Sequence, residues 1–342
     1  MIKNKYLFTS IIIAYYKLEI LKKSIDSFLN QTYKNLELII VNNGASEDII
    51  TYINKLKKKD NRIKIINYNK NVFDINDPEL LTEVVLNRAL KHVSGDFVHF
   101  CSYDDMYSSD YVSKMVSLFE NNENCTTAIG RSVSIDINDN INQKELADVS
   151  TDRPVYMEGH RLVLGAIKSK QKLYSNPGNY FVFKTNNLRK HGGFNKSFDN
   201  KMLFGIVPFG VTGYDKNAIF YWRRHASQLN KLVTSLGNTG ARETLYFIKD
   251  YKLFEKWKVF GDDNAKLIVN SLLKIQFRSS ANIASKNLMD LNYKGFINVI
   301  LETKLHYLFL KYLFYFLYYY KKRILYNFLS SIKKKLNELY NY

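Results

Sequence analysis

Residues 27–48 read SFLNQTYKNLELIIVNNGASED. Leu36–Val41 is a short, mostly apolar run with the length and composition of a buried strand. Asn42-Asn43-Gly44 closes it with residues that tolerate left-handed backbone. Ser46 then stands at an N-cap position, with Glu47 and Asp48 in the first turn of a following helix. Upstream, Leu18, Leu21, Ile25, Phe28 and Leu29 recur at helical spacing. The stretch is therefore helix end, strand and helix start in succession, which is the grammar of an α/β fold.

The same alternation extends on both sides. Ser10–Ala14 reads as a strand, Ile63–Ile66 as a third, residues 80–93 as a helix and Phe97–Cys101 as a fourth strand. A helix over about 110–120 and a strand over 127–135 follow. Alternating elements imply parallel pairing through right-handed crossovers, with the sheet covered on both faces. Ligands in such sheets bind beyond the carboxyl ends of the strands. Two polar tips fall there, Asn42-Asn43-Gly44 and Asp104-Asp105. Residues 136–152 read as a loop beside that edge. Residues 175–225, rich in glycine and aromatics, have weak periodicity, and the chain beyond about 240 is helical in pattern.

With 342 residues and 46% hydrophobic composition the chain can build a full core, which excludes the disordered class. Two cysteines give neither a disulfide framework nor a zinc cluster, and fit a reducing, cytoplasmic setting. The net charge of +18 calls for an anionic partner: nucleic acid, anionic lipid or a phosphorylated substrate. The plainer reading is a lysine-rich surface that aids solubility. The short apolar run near the N-terminus reads as a strand rather than an export signal, and no stretch reaches the ~18–20 apolar residues of a membrane span.

Asp104 and Asp105 follow an apolar strand directly. Adjacent carboxylates at a strand tip repel unless a cation sits beside them, and Mg²⁺-type sites use one or two carboxylates plus substrate phosphates. A metal held there would neutralise a diphosphate leaving group. The competing reading is a solvated turn ahead of a helix capped by Asp110.

Several strings resemble family 2 glycosyltransferases of the GT-A fold, of the kind that build bacterial polysaccharides. They are Ser10-Ile11-Ile12-Ile13-Ala14-Tyr15-Tyr16-Lys17, then Ser27-Phe28-Leu29-Asn30-Gln31-Thr32-Tyr33, Asn35-Leu36-Glu37-Leu38-Ile39-Ile40-Val41, and Val93-Ser94-Gly95-Asp96-Phe97-Val98. The resemblance covers residues 8–135 well, is patchy over 175–225 and is absent beyond. It implies a GT-A catalytic domain over 1–235, a mixed and mostly parallel sheet with helices on both faces, and a helical region over 236–342. It also implies transfer of a sugar from a nucleoside diphosphate sugar, a UDP-sugar being favoured, to a glycan or lipid-linked acceptor, with inversion and a divalent Mn²⁺ or Mg²⁺.

By that resemblance Ala14 falls among the nucleotide contacts and Tyr16 lines the base pocket. Asn43 replaces a base-reading aspartate; its amide can still accept from and donate to a base. Asp104 faces ribose or a metal-bound water, and Asp105 binds the metal. Asn87 matches an asparagine near the phosphates, and it also suits a backbone-satisfying role. Tyr221-Trp222-Arg223-Arg224-His225 matches a late string in which Arg223 and His225 hold diphosphate or complete the metal site. Lys184 to Phe194 resembles the acceptor-side segment ending in Gly192-Gly193-Phe194. The acidic pair expected after it would fall at Met202-Leu203, so Asp199 and Asp215 are the candidate bases for deprotonating the acceptor hydroxyl.

Residues 307–320, YLFLKYLFYFLYYY, hold nine aromatics in fourteen positions, and over 301–342 eight Lys/Arg face two Asp/Glu. This suits a helix lying on the anionic cytoplasmic face of a membrane, or one packed on the rest of the chain. Two other functions stay open at this point: a basic single-strand nucleic-acid binder with aromatic platforms, which no recognisable module supports, and a nucleotide-binding relative without activity, prompted by the missing acidic pair.

Overall fold

The computed structural model describes residues 5–15, 17–74, 77, 80–142, 155–169, 181–194, 198–225, 228, 236, 240–302, 315–327 and 330. The chain divides into two compact units, Met1–His225 and Ala226–Tyr342.

In the first unit β1 (Phe8–Ala14), β2 (Leu36–Asn43), β3 (Ile63–Tyr68) and β4 (Phe97–Cys101) pair in parallel in the order β3-β2-β1-β4. β1 and β2 are buried along their whole length, as expected of strands covered on both faces. The helices between them are α1 (Leu18–Leu29), α2 (Glu47–Lys59) and α3 (Asn87–His92), the last preceded by a π-helical turn at Thr82–Leu86. Asn42 and Asn43, expected in a turn, extend β2 by two residues, because β3 runs alongside as far as Tyr68.

Beyond β4 the sheet continues as β5 (Met106–Tyr107), β6 (Cys125–Ile135), β7 (Tyr156–Glu158), β8 (Phe181–Lys184) and β9 (Val211–Arg223), with α4 (Tyr111–Glu120), α5 (Gly159–Ser169) and α6 (Thr185–Lys190) between them. The order runs β4-β8-β6-β9-β5, with β7 on β9. β8 is antiparallel to both β4 and β6, and β6 is parallel to β9, so β1–β4, β6 and β9 point the same way. In a flat sheet β5 would lie four strand spacings, roughly 19 Å, from β4. Instead the Tyr107 hydroxyl meets Ser10 Oγ at 2.9 Å and His99 Nδ1 at 2.5 Å, and the His99 and Phe220 rings lie 5.4 Å apart. The sheet curls around this aromatic plug, and the curl carries the end of β9 to the tip of β4.

Gln31 shows why the Gln-Thr-Tyr string matters. It is fully buried; its amide donates to the carbonyls of Ser27 (2.9 Å) and Ser108 (2.7 Å) and accepts from the Val112 amide at 2.9 Å. The end of α1 is thereby bolted to the segment that leaves the acidic tip.

The second unit is helical: α7 (Ala241–Asp250), α8 (Leu253–Trp257), α9 (Asp262–Met289), α10 (Tyr293–Glu302) and a helix over residues 315–327. Phe247, Leu253, Trp257, Ile268 and Ala284 are among its buried residues. No described helix is long and apolar enough to cross a membrane.

Candidate active site

Across the carboxyl edge of the sheet stand Tyr68, Asn43, Ala14, the Ser102–Asp105 turn, Ile135 and Arg223, each at or just past the end of its strand. β2 and β4 are two strand spacings apart, roughly 10 Å, the scale of a nucleotide.

The acidic tip and the end of β9 meet there. Asp104 Oδ2 lies 3.0 Å from His225 Nε2, and the Tyr103 hydroxyl lies 3.5 Å from the same nitrogen. Asp104 and His225 are 6% and 7% exposed. Asp105 Oδ1 accepts the backbone amide of Arg223 at 2.9 Å. Tyr15 packs its ring edge-on to Tyr103, with centroids 5.1 Å apart.

Arg223, expected to hold diphosphate, points inward. It is wholly buried. Its Nε donates to the carbonyl of Asp104 at 2.8 Å and its Nη1 to those of Asp136 and Ile137 at 2.8 and 3.3 Å. Nη1 also pairs with Asp139 Oδ1 at 2.5 Å, and Lys23 takes the other oxygen at 2.5 Å. A planar guanidinium with fixed donors suits such a three-sided clamp. Burial pushes the Asp139 carboxyl up, but the bonds and charges of Lys23 and Arg223 outweigh it and hold it below the usual aspartate range. The exposed cation at this end of β9 is Arg224, whose guanidinium stacks on the Trp222 ring at 4.3 Å.

At the ends of β2 and β3 lies a cleft of about 660 Å³, lined by Asn42, Gly44, Ala45 and Ile50 on one side and Asn67–Asn71 on the other. Asn43 is fully buried, donating to Asn71 Oδ1 at 2.8 Å and accepting the Val72 amide at 2.9 Å. It fixes the wall of the cleft, so a base-reading role must share its amide with that wall. Gly44 has φ +65°, and a Cβ there would stand 2.4 Å from the Asn71 nitrogen. The Arg88 guanidinium lies over the Tyr68 ring at 4.5 Å.

Ala14 is buried and paired with Asn42. Asn87 exchanges two 2.8 Å hydrogen bonds with the backbone of Phe194, so its amide latches the Gly193-Phe194 turn instead of reaching towards phosphate. Asp215 lies in a four-residue bulge, where Tyr214 pairs with Ile129 but Ile219 already pairs with Arg131. Its carboxylate caps the Asn217 amide at 2.8 Å. Four ladder steps, roughly 13 Å, separate that bulge from Arg223, so the structure does not bring Asp215 to the acidic tip. Asp199 is exposed in the turn Phe198–Asn200, and Met202 and Leu203 after it are buried core. Tyr16 lies outside the described residues.

Sequence reasoning passed over Lys23, Asp139 and the string Asn67-Tyr68-Asn69-Lys70-Asn71. The last had a legible signal, since asparagines directly after a third parallel strand must stand at the ligand edge. Asp139 had a fainter one: it adopts φ +70°, a conformation that aspartate tolerates better than most residues.

The sequence model described as Glycosyl transferase family 2 matches residues 9–198. Over 313 residues, 90% of this chain and 91% of the other, the protein is 26% identical to an uncharacterized glycosyltransferase of Haemophilus influenzae. It is 33% identical over 114 residues to the UDP-Glc:alpha-D-GlcNAc-diphosphoundecaprenol beta-1,3-glucosyltransferase WfaP of Escherichia coli, a match to 32% of this chain and 41% of that one. The mannosyltransferase PcManGT of Pyrobaculum calidifontis, solved with GDP-Man and Mn²⁺, superposes with a TM-score of 0.50 over 88% of each chain at 11% identity, a likeness of fold alone. The family match takes in more than half of the chain, including β1–β4 and the acidic tip. The chain belongs to glycosyl transferase family 2 and is a glycosyltransferase of the GT-A fold.

Proposed function

We propose that the enzyme moves a sugar from a nucleoside diphosphate sugar, UDP-linked by preference, to a glycan or lipid-linked acceptor in polysaccharide assembly, with inversion. The observation that carries this reading is the Asp104–His225 pair at the carboxyl edge, two strand spacings from the asparagine cleft. The relative WfaP is named for a UDP-glucose donor and a diphosphoundecaprenol acceptor, which supports both halves of the proposal.

Of the two divalent ions, a carboxylate and an imidazole 3.0 Å apart suit Mn²⁺ better than Mg²⁺, which takes oxygen ligands. Among the described residues no three His, Cys, Asp or Glu side chains converge, and such ions take few protein ligands beside substrate phosphates. Asp104 and His225 would hold the ion, with Asp105 the neighbouring carboxylate. Bound there, it would offset charge on the departing diphosphate. The rest belongs to the chain. Arg223 fixes the carbonyl of Asp104 and, through its own amide, the carboxylate of Asp105. The wall held by Asn43 and Asn71 receives the base, and Arg224 faces the phosphates. A carboxylate must take the acceptor proton as the sugar carbon is attacked from the face opposite the phosphate. Asp199, exposed after the latched Gly193-Phe194 turn, is the acid we assign to that task. We assign catalysis to the domain ending near residue 235, and place the protein at the cytoplasmic face of a membrane, where lipid-linked acceptors are found.

A ligand that binds only the folded state raises the melting temperature. With a panel of nucleotide sugars, Mn²⁺ and a UDP-sugar together are expected to stabilise the protein by several degrees, and Asp104→Asn to remove the metal-dependent part. An undiminished metal-dependent shift in Asp104→Asn would refute the assigned site.

A further inference from the structure

The helix over residues 315–327 has two dissimilar faces. At 100° per residue, Phe316, Tyr319 and Arg323 share one side. Tyr315, Phe316 and Tyr319 pack on Ala281, Ala284 and Val299 of α9 and α10, and the Phe316 and Phe296 rings lie 5.7 Å apart. Arg323 closes this side, donating to Ser285 Oγ at 3.1 Å and Asn282 Oδ1 at 2.8 Å.

The opposite side is apolar and uncovered. Leu317, Tyr318, Ile324 and Leu325 are 54%, 55%, 46% and 57% exposed. Lys321 is exposed between Leu317 and Leu325, four residues from each, and Lys322 is exposed at the margin. Lysine is depleted in the cores of protein interfaces, so its place in the middle of this face argues against a protein partner. At a lipid–water boundary the same arrangement is favourable. Leucine and isoleucine enter the acyl region, tyrosine sits at headgroup depth, and lysine lays its stem along the apolar surface with its ammonium among the phosphates.

We infer that this face docks flat on an anionic lipid bilayer. The charge agrees: the chain carries +18 overall, and residues 301–342 hold eight Lys/Arg against two Asp/Glu. An in-plane helix also agrees with the absence, among the described residues, of any helix able to cross a bilayer. The docking is independent of the donor site; that it serves to meet a lipid-linked acceptor rests on the function proposed above.

The test is co-sedimentation of the full chain with phosphatidylcholine vesicles, with and without phosphatidylglycerol, at low and high salt. The wild-type protein should sediment with the phosphatidylglycerol vesicles, and high salt should weaken binding. The double variants Leu317→Ser/Leu325→Ser and Lys321→Glu/Lys322→Glu should each reduce binding by about tenfold or more. Both should keep the thermal shift with nucleotide sugar. Wild-type sedimentation by either variant overturns the inference. So does a dimer that only the leucine variant disperses while vesicle binding is unchanged, which would give the face to a second copy. A protein that binds vesicles but shows no donor shift leaves the docking intact and refutes the proposed donor chemistry instead.

Discussion

Arg223→Met separates two roles for one residue. As a phosphate ligand, Arg223 could be replaced with loss of donor affinity and little loss of stability. The structure predicts the reverse order of effects. The substitution leaves the carbonyls of Asp104 and Ile137 without their guanidinium donor, leaves that of Asp136 only the Asp139 amide, and leaves Asp139 without half of its counter-charge. An unsatisfied buried acceptor costs about 1–3 kcal/mol, and breaking a buried pair from one side about 3–5 kcal/mol. Asp139 is 35% exposed at its side chain, so water and Lys23 recover part of the ionic loss. We expect a net destabilisation of roughly 3–4 kcal/mol, which for a domain of this size lowers Tm by about 10 °C. Thermal unfolding followed by circular dichroism without ligand measures it. The acid limb gives a second reading. The folded Asp139 carboxyl lies below its unfolded value, so its contribution is present above the usual aspartate range and fades as pH falls through the folded value. The gap between wild type and Arg223→Met should therefore narrow on acidification. A Tm unchanged within a degree or two, with donor binding gone, would refute the inward clamp and restore the phosphate role.

Gly44→Ala should cost more than about 1 kcal/mol, because it combines a left-handed residue with a Cβ pressed on the Asn71 amide; it should also weaken nucleotide binding by moving the wall of the cleft, read by calorimetric titration. Glu37 is buried, which pushes its carboxyl up, but Lys64, the Ser94 amide and Thr9 outweigh this and hold it below the usual glutamate range. Glu37→Gln should therefore cost about 2 kcal/mol near neutral pH, with the cost shrinking as pH falls below the usual glutamate range, measured by urea unfolding across pH.

The sequence by itself determined the parallel half of the sheet. β1, β2 and β4 are mostly apolar runs buried on both faces, so composition marks them; the Asp-bearing tip shows where β4 stops, whereas β2 runs on through Asn42 and Asn43 beside β3. It also singled out Asp104 and His225, each in a short string that resembles its family, and the structure brings these two side chains within 3.0 Å of each other. Tertiary structure decided the rest. β9 was hidden because a bulge over residues 215–218, where its register against β6 shifts, breaks its alternation. The direction of Arg223 was hidden because an arginine at a strand end reads the same whether it faces solvent or the interior. Its three carbonyl acceptors come from two loops that meet it only when the sheet curls on the His99–Tyr107–Phe220 plug. Local patterns encode what each residue prefers, whereas the partners of a buried polar group are set by chain segments about a hundred residues away.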